Sequence, residues 1–341
     1  MKKSLMTLGV LALFVLMAYG QEKKFALYSV AFYNMENLFD TIHDEGKNDY
    51  EYLPNGTNQW NTMKYKAKLK NMSEILSMLS TDKLPMGPAI IGVSEIENYR
   101  VLEDILKQPA LADRGYRYVH YEGADQRGVD CAFFYNPKLF ELTNSKLVPY
   151  VYINDTVHKT RGFLIASGNI AGEKMHFIVN HWPSRAAASP ARERAGEQVR
   201  AIKDSLLRED SAAKIVIMGD MNDDPMDKSM AVALGAKRKP ADVGPTDLYN
   251  PWWDTLKKGY GTLMYKGKWN LFDQIVFTGN LLGTDRSTLK FYKHEIFRRD
   301  FMFQKEGKYK GYPKRTQAGG VWLNGYSDHL PTIIYLIKEV K

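Results

Sequence analysis

The stretch that decides the fold is residues 215–225, which reads IVIMGDMNDDP. Residues 215–218 have the length and composition of a buried strand, and polar residues follow it directly. In an extended segment, Asp220 and Asn222 lie on the same side. An Asp can orient water and an Asn can donate to a phosphate oxygen, so the pair suits phosphoester hydrolysis. The alternative is an Asp-rich turn, and the spacing excludes an EF-hand loop.

Polar side chains accompany other predicted strands in the same way. They are Asn34 and Glu36 after residues 25–33, Glu95 after 89–93, His181 and Arg185 after 175–179, Asp273 within 271–277, and Asp328 and His329 before 332–337. Strand ends can present side chains to one cleft. Each residue also has an ordinary structural explanation, such as a turn, a helix cap or a buried histidine. Their shared position is what favours a site.

The remaining patterns predict mixed secondary structure. Further strands are expected at residues 131–135 and 163–167, and helices at residues 63–79, 101–106 and 191–207. Strands and helices that alternate over this length predict α/β layering around one or two sheets. With no repeat or long linker to divide the chain, residues 24–341 are predicted to form one domain.

The order of these motifs resembles the endonuclease/exonuclease/phosphatase superfamily, which includes DNase I-like nucleases and inositol polyphosphate 5-phosphatases. The resemblance extends from Asn34 to His329. It implies a four-layer α/β sandwich, with two packed mixed β-sheets flanked by helices, and a metal-dependent phosphoric ester hydrolase. The implied cofactor is Mg²⁺, with Mn²⁺ or Ca²⁺ as alternatives.

The resemblance also implies roles for the candidate residues. Glu95 would be the principal metal ligand, and the other residues close to the metal would be Asn34, Glu36 and Asp328. Asp220 and Asn222 would orient the attacking water and the phosphate. His181 and His329 would flank the scissile group, with Asp273 holding His329.

Arg185 beside His181 is expected to contact substrate phosphate. Two residues belong to looser motifs: Arg161 is expected to contact phosphate, and Asp130 is expected to orient His181. A surface or turn role is the alternative for Arg161 and Asp130.

The N-terminus predicts export. Lys2 and Lys3 precede an uncharged apolar stretch at residues 5–17, and small residues follow, so residues 1–20 read as a signal peptide. The apolar core is too short for a comfortable membrane span, and no stable membrane anchor is expected. The only cysteine, Cys131, cannot form an intramolecular disulfide. A periplasmic or secreted protein is therefore predicted.

Charge bears on the substrate. The chain has a formal net charge of +8, and residues 286–315 hold ten Lys or Arg against three acids. A basic, aromatic segment suits a polyanion, so the predicted partner is a phosphoester substrate, with nucleic acid favoured. The alternatives are a phosphatase or phospholipase-type esterase acting on an inositol phosphate or lipid headgroup, and a non-catalytic phosphate-binding module. The last is disfavoured because every core polar position is present.

Overall fold

The computed structural model describes residues 23–153 and 157–340. The predicted signal peptide, residues 1–20, lies outside these ranges. Across the part of the chain that is described, no helix has both the length and the apolar character needed to cross a membrane.

The strands in the described ranges vary from two to fifteen residues. They are β1 Lys24–Leu38, β2 Ile90–Ile96, β3 Arg117–His120, β4 Asp130–Tyr135, β5 Phe140–Val148, β6 Phe163–Ile170, β7 Glu173–His181, β8 Lys214–Asp220, β9 Ala236–Lys237, β10 Leu248–Tyr249, β11 Leu263–Tyr265, β12 Lys268–Asn270, β13 Asp273–Thr278, β14 Lys290–Ile296, β15 Gln317–Ala318, β16 Val321–Trp322 and β17 Thr332–Val340. The α-helices are α1 Thr62–Met78, α2 Tyr99–Leu106, α3 Ser189–Glu209 and α4 Trp253–Lys257.

Two large mixed sheets organise these strands. Sheet A has the order β14-β17-β1-β2-β4-β3, in which only β1 and β2 run parallel. Sheet B has the order β5-β6-β7-β8-β13-β10-β9, in which β7 and β8 run parallel, as do β9 and β10. The parallel pairs β1/β2 and β7/β8 bring the carboxyl ends of neighbouring strands to the same end of each sheet.

The sheets pack face to face through alternate side chains. On β1, Val30 and Phe32 belong to the core between the sheets, whereas the intervening Ala31 belongs to a different core on the other face. The approach is close, since a Cβ added at Gly92 would lie 2.5 Å from the Met218 Sδ on the opposing sheet. Burial of one side-chain set between the sheets therefore fixes the register of both.

Helices cover the two outer faces. Apolar residues of α1 and α2 pack on sheet A, and those of α3 pack on sheet B. Helix α1 begins where the side chain of Asn61 accepts a hydrogen bond from the backbone N–H of Lys64, and α2 is capped in the same way by Asn98. The four-layer α/β sandwich is thereby confirmed.

The eight predicted strands and three predicted helices are all present, with ends shifted by a few residues. Two longer strands, β5 and β14, were not predicted. Strand β5 is exposed at many positions, and no residue of β14 is fully buried. Their charged and polar residues hide the apolar alternation by which the other strands are recognised.

Candidate active site

Predicted site residues meet where the two sheets end side by side. Asn34 and Glu95 lie near the ends of β1 and β2, and His181, Asp220 and Asp273 lie at ends of β7, β8 and β13. In sheet B, His181 and Asp273 are both register partners of Asp220. Asp328 and His329 precede β17. Sheet topology thus brings together residues that are far apart in the sequence.

A histidine and an aspartate form the tightest pair of the site. The Nδ1 of His329 lies 2.7 Å from Asp273 Oδ2, and the Asp273 side chain is fully buried. Burial opposes protonation of His329, but the carboxylates of Asp273 and Asp220 outweigh it and raise the pKa of His329 well above its usual range. This environment favours the imidazolium form of His329, whose Nε2 lies 3.8 Å from Asp220 Oδ2.

The second histidine has the opposite charge preference. Burial, with the nearby Arg161 guanidinium adding to it, lowers the pKa of His181 well below its usual range. Its Nδ1 is buried without a hydrogen-bond partner among the described residues. Its Nε2 lies 3.6 Å from Glu95 Oε1 and 3.7 Å from Asp220 Oδ2. This environment favours a neutral ring with the proton on Nε2.

Asp220 is the carboxylate at the centre of the site. Its Oδ2 accepts a hydrogen bond from Asn34 Nδ2 at 3.0 Å, and its Oδ1 accepts one from the Asn222 N–H at 2.9 Å. Burial, together with the charges of Asp273 and Glu95, raises the pKa of Asp220 to about 7, although His329 opposes the shift. A carboxylate of that pKa can take a proton near neutral pH.

Four residues around this centre have left-handed backbone conformations. The φ angles are 47° at Glu36, 55° at Asn37, 58° at Glu95 and 51° at Asn222. Such conformations cost non-glycine residues on the order of 1–3 kcal/mol each, and they cluster at functional sites. Glu95 is held by a hydrogen bond from the Asn37 N–H to its Oε2 at 3.0 Å.

An arginine and a lysine that the sequence patterns did not indicate complete the site. Arg315 donates from Nε to Glu36 Oε1 at 2.8 Å, and its Nη2 lies 2.9 Å from Asp328 Oδ2. Lys68 of α1 is fully buried and donates to Thr316 Oγ1 at 2.5 Å. The Arg315–Glu36 and Lys68–Thr316 contacts join residues that are 279 and 248 positions apart, so only the fold reveals them.

The predicted metal ligands differ in how available they are. Both carboxylate oxygens of Glu36 are engaged, by Arg315 Nε and the Thr316 N–H, and Asn34 Oδ1 accepts the Glu36 N–H at 2.8 Å. Glu95 Oε1 and Asp328 Oδ1 accept no hydrogen bond from any described residue, and both side chains are partly exposed. The free oxygens of Glu95 and Asp328 are thus the best donors for a hard cation.

The electrostatics of the site also fit a divalent metal ion. Burial and the neighbouring Asp328 carboxylate raise the pKa of Glu36 to about 7, even though Lys68 and Arg315 oppose the shift. Asp220, Asp273 and His329 form a buried cluster whose ligand-type atoms lie within 4.8 Å of one another. A cation beside Glu95 and Asp328 would offset this concentration of negative charge.

Arg161 is placed behind the site. It is buried and donates from Nε to the His181 carbonyl at 3.0 Å, from Nη2 to the Trp182 carbonyl at 2.8 Å, and from Nη1 to Asp125 Oδ2 at 3.1 Å. These bonds hold the end of β7 and use most of the guanidinium donors. They favour a positioning role over the predicted contact with phosphate.

The expected partnership between Asp130 and His181 is wrong. Asp130 Oδ2 accepts the Gly123 N–H at 3.0 Å and lies 3.2 Å from His120 Nε2, on the neighbouring strand β3. Asp130 therefore closes the turn between β3 and β4. No contact with His181 is present.

Two other predicted residues are engaged by protein groups. Arg185 contacts Asp223, Asp224 and Asp227 and stacks on Phe272, 4.5 Å from the ring centroid, while its side chain stays partly exposed. Asn222 donates from Nδ2 to the Trp182 carbonyl at 3.0 Å, which leaves one amide N–H for a phosphate oxygen. Their substrate contacts stay predictions.

Comparison with known proteins identifies the family. A family model described as endonuclease/exonuclease/phosphatase family matches residues 29–338. The chain belongs to this family. Its members' chemistry makes the protein a phosphoric ester hydrolase and implies dependence on a divalent metal ion. No curated protein sequence matches the chain.

Solved structures share the fold at low identity. An endonuclease/exonuclease/phosphatase family protein from Bacteroides thetaiotaomicron has a TM-score of 0.58 and 15% identity, covering 93% of this chain and 97% of its own. A mannosyl-6-phosphatase from the same organism has a TM-score of 0.56 and 14% identity, covering 91% and 99%. D. rerio TDP2, complexed with a single-strand DNA product, has a TM-score of 0.53 and 15% identity, covering 91% and 99%.

Proposed function

We propose that this protein is an exported, Mg²⁺-dependent phosphodiesterase that cleaves nucleic acid. The nucleic-acid substrate is supported by two cavities. A polar cavity reaches Glu36 and Arg315 of the site, and a basic cavity adjoins it in sequence, because Tyr309 lines the first and Lys310 the second. An extended chain of alternating sugars and phosphates needs sites of both kinds next to the scissile bond.

The residues of the site divide the chemistry between them. When bound at Glu95 and Asp328, the metal ion supplies Lewis-acid polarisation of the phosphoryl oxygen. As the oxygen of a water molecule bonds to phosphorus and the bond to the leaving oxygen breaks, Asp220 takes the proton of that water. His329, held as an imidazolium by Asp273, donates from Nε2 to the phosphoryl oxygen and stabilises its charge.

The basic cavity has a volume of about 380 Å³ and is lined by four cations, Arg298, Arg299, Lys305 and Lys310. The guanidinium of Arg298 lies over the rings of Trp269 and Phe303, and that of Arg299 lies 4.1 Å from the ring centroid of its neighbour Phe297. Both arginines are thus partly committed to packing. The exposed Lys305 and Lys310 are the groups free to contact a phosphate.

Most aromatic rings of the basic segment are also committed to packing. Phe297 is buried, Phe301 contacts Tyr326, and Tyr309 contacts Tyr312 with ring centroids 5.4 Å apart. Tyr309 keeps about half of its surface exposed and lines the polar cavity. Among the packed rings it is therefore the one we assign to stacking against a base.

A charge-reversal experiment tests the substrate. Replacing Lys305 and Lys310 with Glu should raise KM for single-stranded DNA and reduce the slope of log affinity against log salt by roughly 1.4, or 0.7 per lost phosphate contact. The matched control replaces the exposed Lys66 and Lys138 with Glu, which changes net charge equally. Equal salt slopes in the two double variants would remove the support for nucleic acid.

A second candidate is a phosphatase that acts on a small sugar phosphate. The polar cavity supports it, because a volume of about 360 Å³ suits one small ligand. The mannosyl-6-phosphatase with the same fold is consistent with this possibility. Assaying plasmid DNA, RNA, bis-p-nitrophenyl phosphate, inositol phosphates and hexose phosphates with Mg²⁺, Mn²⁺ and Ca²⁺ separates the two candidates.

Export is the part of the proposal that rests on the sequence alone. Expression of the full chain in a bacterial host, followed by cell fractionation and mass spectrometry, should find mature protein outside the cytoplasm that lacks about 20 N-terminal residues. A chain with Lys2 and Lys3 still attached, recovered from the cytoplasm, would contradict it.

A further inference from the structure

The polar cavity lies directly against the catalytic centre. Its lining includes Glu36, Asn37 and Arg315, together with Tyr52 and residues 317–320 of the β15–β16 hairpin. Glu36 is two residues from Asn34, and the Asn37 N–H holds Glu95. A ligand in this cavity would therefore touch the groups that position the metal ligands.

Aromatic packing and a tight turn build two parts of the cavity lining. The ring of Tyr52 stacks on Phe39 with centroids 4.2 Å apart and meets the edge of the buried Trp60 at 5.9 Å. Gly319 and Gly320, which also line the cavity, form the two-residue turn of the hairpin, with φ angles of 56° and 78°. Two successive positive φ angles are typical of a type I′ turn, which favours glycine.

Several polar groups that line the cavity have no hydrogen-bond partner in the described part of the chain. Among the described residues, none hydrogen-bonds to the side-chain amides of Asn37 and Gln317 or to the hydroxyl of Tyr52. Glu51 adds an exposed carboxylate that holds only the Asn58 amide, at 3.3 Å. Amides, a carboxylate and a hydroxyl together exchange hydrogen bonds best with a ligand rich in hydroxyl groups.

Arg315 connects this cavity to the phosphoryl site. Its Nε and Nη2 are used by Glu36 and Asp328, whereas no described residue accepts a hydrogen bond from its Nη1. The planar guanidinium fixes the direction of the remaining N–H groups, which suits binding of a phosphate oxygen. Arg315 can thus position Asp328 and contact an anionic substrate with the same side chain.

We propose that the cavity is a subsite for one sugar phosphate unit of the substrate, with Gln317, Tyr52 and Asn37 contacting sugar hydroxyls and Arg315 contacting phosphate. This inference rests on the proposed hydrolysis of a phosphoester at the adjoining centre. The shared chemistry is a sugar that carries phosphate, either a pentose in a nucleic acid or a free hexose phosphate. The cavity's small volume fits a single such unit.

The test compares substrates that do and do not carry a sugar. We would measure kcat/KM for a dinucleoside monophosphate, mannose 6-phosphate and bis-p-nitrophenyl phosphate, using the wild type, Gln317→Ala and Tyr52→Phe. In each variant the ratio of kcat/KM for the sugar substrate to that for bis-p-nitrophenyl phosphate should fall about five-fold, mainly through KM, as for loss of one hydrogen bond. The control Asn144→Ala, at an exposed position of β5, should keep the wild-type ratio.

Each outcome decides a different point. If the kcat/KM ratio falls for the dinucleoside monophosphate, the cavity binds a nucleotide. If the ratio falls for mannose 6-phosphate alone, the cavity binds a sugar monophosphate, and the proposed nuclease activity is refuted. Wild-type hydrolysis with unchanged ratios in both variants overturns the subsite and leaves the hydrolase intact.

If the wild type hydrolyses none of the three substrates, the proposed function is overturned instead. Calorimetry with adenosine monophosphate and with mannose 6-phosphate then tests the cavity by itself. Binding that Gln317→Ala weakens about five-fold supports the subsite, and absence of binding overturns it.

Discussion

Replacement of Asp273 by Asn would remove the charge that keeps His329 protonated. The two side chains are buried, and His329 Nδ1 lies 2.7 Å from Asp273 Oδ2. Asn has nearly the same shape but no charge, so the variant alters electrostatics with little change in packing. The second oxygen of Asp273, Oδ1, has no hydrogen-bond partner among the described residues, so the substitution removes no other side-chain hydrogen bond there.

The expected loss follows from this geometry. A hydrogen bond between charged groups contributes roughly 1.5–3 kcal/mol, and a positioned acid or base contributes about 10²–10⁴-fold to rate. We therefore expect kcat for bis-p-nitrophenyl phosphate to fall by at least about 10². KM should change little, because His329 acts on charge that develops in the transition state.

The pKa of His329 provides an independent readout. Its pKa in the folded protein is raised, so the stabilisation from its ion pair is fully present below the unfolded value and is lost as pH rises through the raised value. In Asp273→Asn this source of stability is absent. NMR titration of metal-free protein should show the imidazole losing its proton at lower pH than in the wild type.

Two results would refute this reasoning. The first is an Asp273→Asn enzyme with wild-type kcat, since the pair would then have no part in catalysis. The second is a His329 imidazole that titrates at the same pH with and without the Asp273 charge.

His329→Ala should match the kcat loss of Asp273→Asn to within about ten-fold, because residues that act as a unit are not additive.

Three further predictions concern stability, measured by urea denaturation. Burial lowers the pKa of His294 to about 4. The stability that the neutral, buried His294 contributes is therefore fully present above its unfolded pKa and is lost as the pH falls toward 4. His294→Gln should reduce this acid-induced loss of stability by up to about 3 kcal/mol. Gly92→Ala should destabilise the protein by roughly 1–3 kcal/mol, because the new Cβ would lie 2.5 Å from Met218 Sδ. Asn61→Ala should cost about 1 kcal/mol, because it removes the cap on the Lys64 N–H. Unchanged stability in any variant would contradict the corresponding contact.

The fold was largely predictable because burial dominates its central strands. Strands such as β8, buried at every position, read as apolar runs followed by polar residues. Strand β5 could not be recognised in this way, because its exposed face carries Glu141, Thr143 and Asn144. A strand that is buried on both faces can be predicted well from local sequence, whereas a partly exposed edge strand is predicted poorly.

The convergence of Glu95, His181 and Asp220 was predictable, because each lies at the end of its own strand, and their catalytic roles stay predictions. The role of Asp130 could not be predicted, because its partner His120 lies on the four-residue strand β3, which has no sequence signature of its own. The link from Arg315 to Glu36 was equally hidden, because it joins positions 279 residues apart.

The central claim is that phosphoester hydrolysis at this site depends on a divalent metal ion bound by Glu95. The most direct test is calorimetric titration of Mg²⁺ into metal-free wild type and Glu95→Gln, alongside hydrolysis of bis-p-nitrophenyl phosphate in EDTA and after Mg²⁺ is restored. We predict saturable Mg²⁺ binding that Glu95→Gln weakens, no hydrolysis in EDTA, and recovery with Mg²⁺ in the wild type only. Full activity in EDTA, or equal Mg²⁺ affinity in the two proteins, would contradict the account.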